Sequence, residues 1–339
     1  MLTASPIYRL PSDLTRPSII LKALADVVDW GVAAYHIPDH WKQTQGQGVK
    51  VAMLDTGVDE THPALAGAID DARDFTSSRS GPADQNGHGT HTAGIVAARK
   101  DLLGVAPQCR LLIGKVLGDD GSGSGDGVAA GIDWACDAGA DVISMSLGSP
   151  QADPQIFAAI QRANAKGKFI VCAAGNDGAA SQDSVNYPGR WKQTVSVAAV
   201  DRDGHLCTFS SRGPEVDIAA PGEDILSTYL DGKYARLSGT SMATPFVAGV
   251  TALLVAVHRG ATNSKTPLNN DSDLREHLER TATAVGFTGH DDGYGWGLIN
   301  PDGLLTADDA TPPTPPARQV LLADLIIAGV SGSLVFEPK

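Results

Sequence analysis

The sequence predicts an α/β fold: a doubly wound, mostly parallel sheet with helices on both faces, in three layers. Short apolar, β-rich runs alternate with amphipathic or alanine-rich stretches, which is typical of parallel strands joined by helices. The composition is that of a folded globular chain, because 42% of the 339 residues are hydrophobic and 19% are charged. The 38 glycines and 20 prolines indicate many tight loops on this scaffold.

Five apolar runs are predicted strands. The first covers Val49 to Leu54 and ends at Asp55-Thr56-Gly57, and the others cover residues 110–117, 141–145, 168–173 and 194–200. Helices are predicted over residues 88–100, 126–138 and 154–166, over an apolar stretch after Pro245, and over the short stretch Leu21 to Trp30. In such folds the active residues gather at the carboxyl ends of the strands.

The chain divides into three segments. Residues 1–28 form an N-terminal extension, residues 29–306 a single domain, and residues 307–339 a proline-rich linker and C-terminal tail. Residues 320–336 are apolar but contain Asp324, so a packed strand or helix is favoured over a membrane span. Charged residues interrupt residues 1–29, which therefore do not resemble a signal peptide. We expect a cytoplasmic protein, or a secreted one if the sequence has been trimmed.

Charge and cysteine content exclude several classes of function. The 26 basic and 39 acidic side chains give a net charge of −13, and without a basic patch this excludes nucleic acid as a partner. The four cysteines are far apart in apolar stretches, which favours buried free thiols over a zinc ribbon or a redox dithiol. Disulfide bonds between these cysteines are the alternative to free thiols. The cysteines are Cys109, Cys136, Cys172 and Cys207.

Three short islands carry groups that can act together in catalysis. They are Asp55-Thr56-Gly57, residues 86–91 around His88, and residues 238–245 around Ser241. A serine hydroxyl is a poor nucleophile until a histidine accepts its proton, and a carboxylate on the other ring nitrogen orients that histidine. Alone, each island has a simpler explanation as a turn or a helix cap. Together, in the order Asp, His, Ser, they indicate a hydrolase.

The chain resembles the subtilisin-like serine proteases, the subtilase family, and is most similar to the intracellular subtilisins. The resemblance runs from about residue 30 to residue 305. It is carried by six ordered motifs at residues 55–57, 88–94, 145–148, 173–176, 239–243 and 293–300.

The resemblance implies a serine endopeptidase that works through an acyl-enzyme. Ser241 would be the nucleophile, His88 the general base and acid, Asp55 its orienting carboxylate, and Asn176 the side-chain donor of the oxyanion hole. A catalytically silent binding scaffold and a peptide ligase on the same acyl-enzyme are the alternatives. His91 also invites a zinc interpretation, but no glutamate follows His88 as the metalloprotease spacing requires.

Substrate binding is expected through the main chain, with protein or peptide substrates as partners. The resemblance implies that an extended peptide pairs with two segments, and a plain loop is the alternative for the first of them. Asp177 is expected at the rim of the primary pocket, where it would favour a basic residue. A homodimer is among the assemblies that the sequence allows. The predicted substrate-binding residues are Gly121, Ser122, Gly123, Ser146, Leu147 and Gly148.

No cofactor is expected to be required. The strong calcium site of secreted relatives is expected to be absent, because Ala64 stands at its acidic position. The resemblance implies a weaker Ca²⁺ or Na⁺ site, and a solvated acidic pair is the alternative. Its predicted ligands are the carbonyl groups of Gly189, Trp191 and Thr194 and the carboxylates of Glu215 and Asp217.

The N-terminal extension is expected to inhibit the enzyme. Residues 5–11 are extended and bracketed by Pro6 and Pro11. A short proline-containing extension that lies across the cleft as a poor substrate is the layout that the resemblance implies. A terminus without function is the alternative.

Overall fold

A seven-stranded parallel sheet organises this computed structural model. The structure describes residues 6–10, 18–20, 26–178, 183–260, 268–286 and 289–306. The strands are β1 (Ile7–Arg9), β2 (Ser18–Ile20), β3 (Val27–Val28), β4 (Lys50–Asp55), β5 (Ile69–Asp74), β6 (Arg99–Lys100), β7 (Leu102–Leu103), β8 (Arg110–Lys115), β9 (Ser122–Ser124), β10 (Val142–Met145), β11 (Phe169–Ala173), β12 (Val195–Val200), β13 (Ile218–Pro221), β14 (Ile225–Tyr229) and β15 (Lys233–Leu237).

The helices alternate with the strands of the central sheet. They are α1 (Trp30–Ala34), α2 (Ile37–His40), α3 (His88–Ala97), α4 (Gly125–Asp137), α5 (Pro154–Ala165), α6 (Thr240–Gly260), α7 (Asp271–Thr281) and α8 (Pro301–Thr306), with a 3₁₀ turn at Pro63–Leu65.

The strand order in the central sheet is β5-β8-β4-β10-β11-β12-β13, and all neighbours are parallel. The chain builds outward from β4, first to the β8 side and then to the β10 side. The strand order therefore reverses at β4, and ligands of doubly wound sheets bind at such a point, outside the carboxyl ends of the strands.

The sheet is covered on both faces, which explains why its strands are almost continuously apolar. Along β4, Val51 and Met53 belong to the apolar cluster on the side of α3 and α6, whereas Ala52 and Leu54 belong to the cluster on the side of α4 and α5. Successive side chains of a strand point to opposite faces, so a buried strand contributes apolar side chains to the helical layers on both faces of the sheet. The predicted doubly wound, three-layer fold is confirmed.

Two predicted helices differ from the structure. Helix α3 ends at Ala97 rather than at residue 100, because the backbone of Ala98 is extended and Arg99–Lys100 turns back as β6 against β7. The helix predicted over Leu21 to Trp30 is wrong at Val27–Val28, which form β3 beside β7, and residues 21–25 lie outside the described residues. Helix α1 begins only after Asp29, whose carboxylate accepts the Gly31 N–H.

The N-terminal extension contributes a strand to each of three smaller sheets. Strand β1 pairs with β9, β2 pairs with β15, and β3 pairs with β7. The first two pairings are antiparallel and the third is parallel. The described part of the extension is therefore an integral part of the fold.

Helix α6 is long and apolar enough to span a membrane by length and composition, but 89% of its apolar window is buried inside the structure. It packs beneath the central sheet as a core helix. The predicted proline-rich linker and the apolar run at residues 320–336 lie outside the described residues. All four cysteines are buried and free, as predicted.

Candidate active site

Asp55 and His88 meet where strand β4 ends and helix α3 begins. His88 Nδ1 and Asp55 Oδ1 are 2.7 Å apart, and each residue is 2% exposed. The Thr56 N–H donates to Asp55 Oδ1 at 2.7 Å, and Thr92 Oγ1 donates to Oδ2 at 3.2 Å. A carboxylate held in this way keeps the proton of a neutral imidazole on Nδ1, which leaves Nε2 free to accept another.

Ser241 lies in the first turn of helix α6. Ser146, which follows β10, donates its hydroxyl to the Ser241 carbonyl at 2.8 Å, and Ser241 Oγ donates to the Ser146 carbonyl at 3.4 Å. These two bonds fix the start of α6 against the end of β10. The N–H groups of a first helical turn have no partner within the helix, so the Ser241 hydroxyl lies beside donors that stabilise negative charge.

Asn176 lies beyond the carboxyl end of β11 and is oriented by Thr240. Its Oδ1 accepts the Thr240 N–H at 3.0 Å and the Thr240 hydroxyl at 2.8 Å, so the amide has one orientation. Among the described residues, Asn176 Nδ2 and His88 Nε2 are buried and have no hydrogen-bond partner. A buried polar atom without a partner is costly in a folded chain, and both atoms are the ones that a reacting substrate would engage.

The four predicted catalytic residues thus lie on neighbouring elements. Asp55 ends β4 and Asn176 follows β11, with β10 between these two strands, while His88 and Ser241 lie in the first turns of α3 and α6, which pack together on one face. The sequence order brings a carboxylate, an imidazole, a hydroxyl and an amide donor to the switch point of the sheet. Such a set can carry out acyl transfer.

His91, one turn further along α3, is a structural residue. It is fully buried, and its Nε2 lies 3.0 Å from the Ile225 carbonyl and 3.1 Å from the Ala235 carbonyl. Burial, and to a lesser extent the neighbouring His88, lowers the pKa of His91 to about 3. The ring is therefore neutral and ties α3 to the β14–β15 hairpin.

Strand β1 occupies the main-chain groups that were predicted to bind substrate. Tyr8 pairs with Gly123 and Arg9 with Ser122, and the Leu10 N–H donates to the Gly121 carbonyl at 3.0 Å. On its other edge, Arg9 exchanges two 3.1 Å hydrogen bonds with Gly148. Strand β1 therefore lies between β9 on one edge and Gly148 on the other.

A cavity of about 430 Å³ adjoins this strand. Asn176 and Asp177 line it on one side, Leu147 and Gly148 on another, and Leu10 of the N-terminal segment closes part of it. The Asp177 carboxylate accepts a hydrogen bond from Asn186 Nδ2 at the cavity wall. The predicted place of Asp177 beside a pocket agrees with this geometry.

The predicted cation site is arranged around an arginine. Arg275 of α7 donates from Nε to Asp217 Oδ1 at 2.8 Å and also donates to the Thr194 carbonyl. Glu215 faces Arg190 at 3.7 Å. Two of the five predicted ligands already bind a guanidinium, whose charge would repel a second cation. As arranged, the Thr194 carbonyl and the Asp217 carboxylate fit Arg275 and do not fit a Ca²⁺ or Na⁺ ion.

Three supporting residues were missed from the sequence. Ser146 was predicted only as a substrate-binding residue, yet its hydroxyl holds the Ser241 backbone. Thr92 and Thr240 hold the carboxylate and the amide in place. No spacing or composition signal marks a hydroxyl that contacts a distant main chain, although Thr92 and Thr240 lie inside the recognised motifs.

A protein-family model and several known proteins match this chain. A model of the subtilase family matches residues 46–297. An intracellular serine protease of Paenibacillus polymyxa is 48% identical over 233 residues, which cover 66% of this chain and 72% of that protein. Subtilisin Savinase of Lederbergia lenta is 41% identical over 81% of this chain and 98% of its own length. Thermitase of Thermoactinomyces vulgaris is 42% identical over 72% of this chain and 88% of its own length.

Proposed function

The chain belongs to the subtilase family and is a serine protease, and from this premise we propose that Ser241, His88, Asp55 and Asn176 carry its endopeptidase reaction. The observation that supports this assignment most is that His88 Nε2 and Asn176 Nδ2, two atoms that a reacting substrate would engage, are both buried without a hydrogen-bond partner among the described residues. The peptidase domain is proposed to span residues 29–306, which contain the whole family match.

In the acylation step, Ser241 Oγ attacks the carbonyl carbon of the scissile peptide bond. His88 Nε2 accepts the hydroxyl proton, and Asp55 stabilises the imidazolium through Nδ1–H. The same proton then passes to the departing amine nitrogen, the C–N bond breaks, and an ester on Ser241 remains. Water next attacks the ester as His88 takes its proton, and the proton returns to Ser241 as the acid product leaves.

The oxyanion of each tetrahedral intermediate is stabilised by Asn176 Nδ2 and the Ser241 N–H. Because Thr240 holds Asn176 Oδ1 through two bonds, the donor is in place before substrate arrives. Preorganised donors cost no rearrangement at the moment of reaction. In subtilisin, a member of the same family, removal of one such donor costs about 10²–10³ in turnover.

Substrate is proposed to bind as an extended strand between residues 121–123 and 146–148. The carbonyl and N–H groups of Gly121, Gly123 and Gly148 supply affinity that does not depend on substrate sequence. Asp177 at the cavity wall is proposed to favour a basic side chain before the scissile bond.

Strand β1 is proposed to inhibit the enzyme by occupying this site. It uses the same main-chain groups that a substrate needs, so strand and substrate exclude each other. Pro11 follows Leu10, and a proline near the scissile bond misplaces the carbonyl for attack by Ser241. Cleavage within the extension would release the site.

The enzyme is proposed to act inside the cell. One relative, 48% identical, is named an intracellular serine protease. Four buried cysteines without disulfides agree with a reducing compartment.

Ser241→Ala tests the proposed reaction. The variant should keep the fold and lose more than 99% of peptide hydrolysis, since no other nucleophile is placed on the substrate. A serine-directed phosphonate should label Ser241 in the parent and leave the variant unlabelled. Retained turnover above a percent, with labelling elsewhere, would reject the assignment. Digestion of a mixed peptide library by the parent enzyme measures the preference for basic residues in the same preparation.

A further inference from the structure

A second buried aspartate, Asp84, lies next to the segments that carry Asp55 and His88, and no sequence motif singles it out. It is 4% exposed and accepts five hydrogen bonds. Its Oδ1 accepts from the Thr56 hydroxyl, the Asn86 N–H and the Gly87 N–H, each at 2.9 Å. Its Oδ2 accepts from the Thr90 N–H at 2.9 Å and the Thr90 hydroxyl at 2.7 Å. Both oxygens are thus saturated with donors.

These donors lie on both sides of His88 in the chain. Asn86 and Gly87 precede it, Thr90 follows it, and the Gly89 N–H donates at 2.9 Å to Thr56 Oγ1, which itself binds Asp84. Thr56 directly follows Asp55. A single carboxylate therefore joins the end of β4, which carries Asp55, to the first turn of α3, which carries His88.

The end of β4 and the first turn of α3 approach so closely that no side chain fits between their backbones. A Cβ on Gly89 would lie 2.1 Å from the Gly57 carbonyl oxygen. The fully buried Lys115 donates from Nζ to the Thr56 and Ala83 carbonyls, both at 2.9 Å, and so joins the residue after Asp55 to the residue before Asp84. The relative position of β4 and α3 is consequently fixed by polar contacts with defined directions.

We propose that Asp84 is a positioning residue for the protease reaction, holding His88 in register with Asp55; this inference rests on the proposed function. Only a carboxylate can accept all five hydrogen bonds. The NH₂ group of an amide would face either the two donors of Thr90 or the three donors of Thr56, Asn86 and Gly87. A shift of about 1 Å between catalytic groups costs about 100-fold in rate. Binding of substrate depends on residues 121–123 and 146–148 and is independent of Asp84.

The test compares Asp84→Asn with Asp59→Asn. Asp59 is a matched control on the neighbouring loop, since its carboxylate also accepts main-chain and hydroxyl donors, from Thr61 and Asp231. Its link to the Asp84 network is the main-chain N–H, which donates to Thr90 Oγ1 at 2.9 Å and is kept in Asp59→Asn. With a short peptide substrate, Asp84→Asn should lower kcat about 10- to 100-fold and leave KM within about twofold. Asp59→Asn should change neither.

A spectroscopic measurement separates positioning from general loss of stability. The proton between His88 Nδ1 and Asp55 gives a proton NMR signal far downfield of the amide region, and it should be lost or displaced in folded Asp84→Asn but kept in Asp59→Asn. If Asp84→Asn does not fold, Thr56→Val decides, because it removes the two bonds that the Thr56 hydroxyl makes, to Asp84 and from the Gly89 N–H, with little change of side-chain shape. Its kcat should fall about 3- to 10-fold with KM unchanged.

Different results would overturn the role of Asp84 and the proposed function. A kcat of the deciding variant within twofold of the parent enzyme, or a downfield signal identical to that of the parent, would overturn the role of Asp84. An active Ser241→Ala variant would instead reject the proposed function on which that role rests.

Discussion

Tyr8→Ala tests whether strand β1 competes with substrate for the cleft. Tyr8 is fully buried and belongs to the apolar cluster between the sheet and helices α4 and α5. Burial raises the pKa of its phenol above the ordinary value, and the nearby Asp153 carboxylate raises it further. Of the described residues of the strand, Tyr8 is therefore the one whose side chain is anchored in the body of the enzyme.

The size of the effect follows from this burial. Truncation of a buried aromatic side chain to alanine costs about 3 kcal/mol or more. The main-chain hydrogen bonds of Arg9 and Leu10 do not involve the side chain and are kept. A loss of about 3 kcal/mol lowers the ratio of occupied to open cleft by about 150-fold.

The assay is best made in a Ser241→Ala background, where self-cleavage cannot remove the strand. Fluorescence polarisation of a labelled substrate peptide gives its apparent Kd. Because a peptide binds only the open fraction, Tyr8→Ala should tighten the apparent Kd by as much as about 150-fold, up to the limit at which most clefts are open. A chain that begins at Leu21 should define this limit.

Ile7→Ala is the matched control, since Ile7 lies in the same strand and is 55% exposed. It should shift the apparent Kd by less than about threefold, in line with a small change in buried surface. An equal Kd for the parent, the Tyr8→Ala variant and the chain beginning at Leu21 would refute the competition between strand and substrate.

Two further predictions concern stability, both measured in the Ser241→Ala background. The pKa of His91 is about 3 in the fold against 6.5 in the unfolded chain, so the stability that its neutral form contributes is present above pH 6.5 and is lost as the pH falls. Between pH 6.5 and pH 5 the free energy of unfolding in urea should therefore fall by about 1.6 kcal/mol less in His91→Gln than in the parent, and an equal fall in both would contradict this. Arg275→Met removes the guanidinium that pairs with the buried Asp217 carboxylate and should lower the free energy of unfolding by about 3 kcal/mol, part of which millimolar Ca²⁺ should restore. In the parent, a chelator should change the melting temperature only slightly, and a fall of more than about 15 °C would reveal a tight cation site.

The architecture and the reacting groups could be read from the sequence because their signals are local. The buried strand before Asp55 and the glycines around His88 lie within short windows, and parallel strands bring their carboxyl ends to one edge wherever they lie in the chain. The family motifs then assign the order Asp, His, Ser to specific residues.

The remaining features depend on contacts between distant segments. Arg275 lies 58 residues after Asp217, and nothing in either segment indicates that a guanidinium takes the predicted place of a cation. Val27–Val28 could be read as part of a helix because its partner, Leu102–Leu103, lies far along the chain. The role of Asp84 cannot be predicted from the sequence, because its five hydrogen-bond donors come from residues that are brought together only in the fold.

The pairing of strand β1 within the cleft also implies how inhibition would end. Residues 11–17 join this strand to β2, which is anchored at β15, so the inhibitor is present at the effective concentration of a short tether, in the millimolar range. A cut there leaves the described hydrogen bonds between the strand and the cleft in place. It turns a unimolecular equilibrium into a bimolecular one, and the freed peptide is diluted to the concentration of the enzyme itself. Activation would therefore be driven by dilution, and it would be hardest to reverse where the enzyme is scarce.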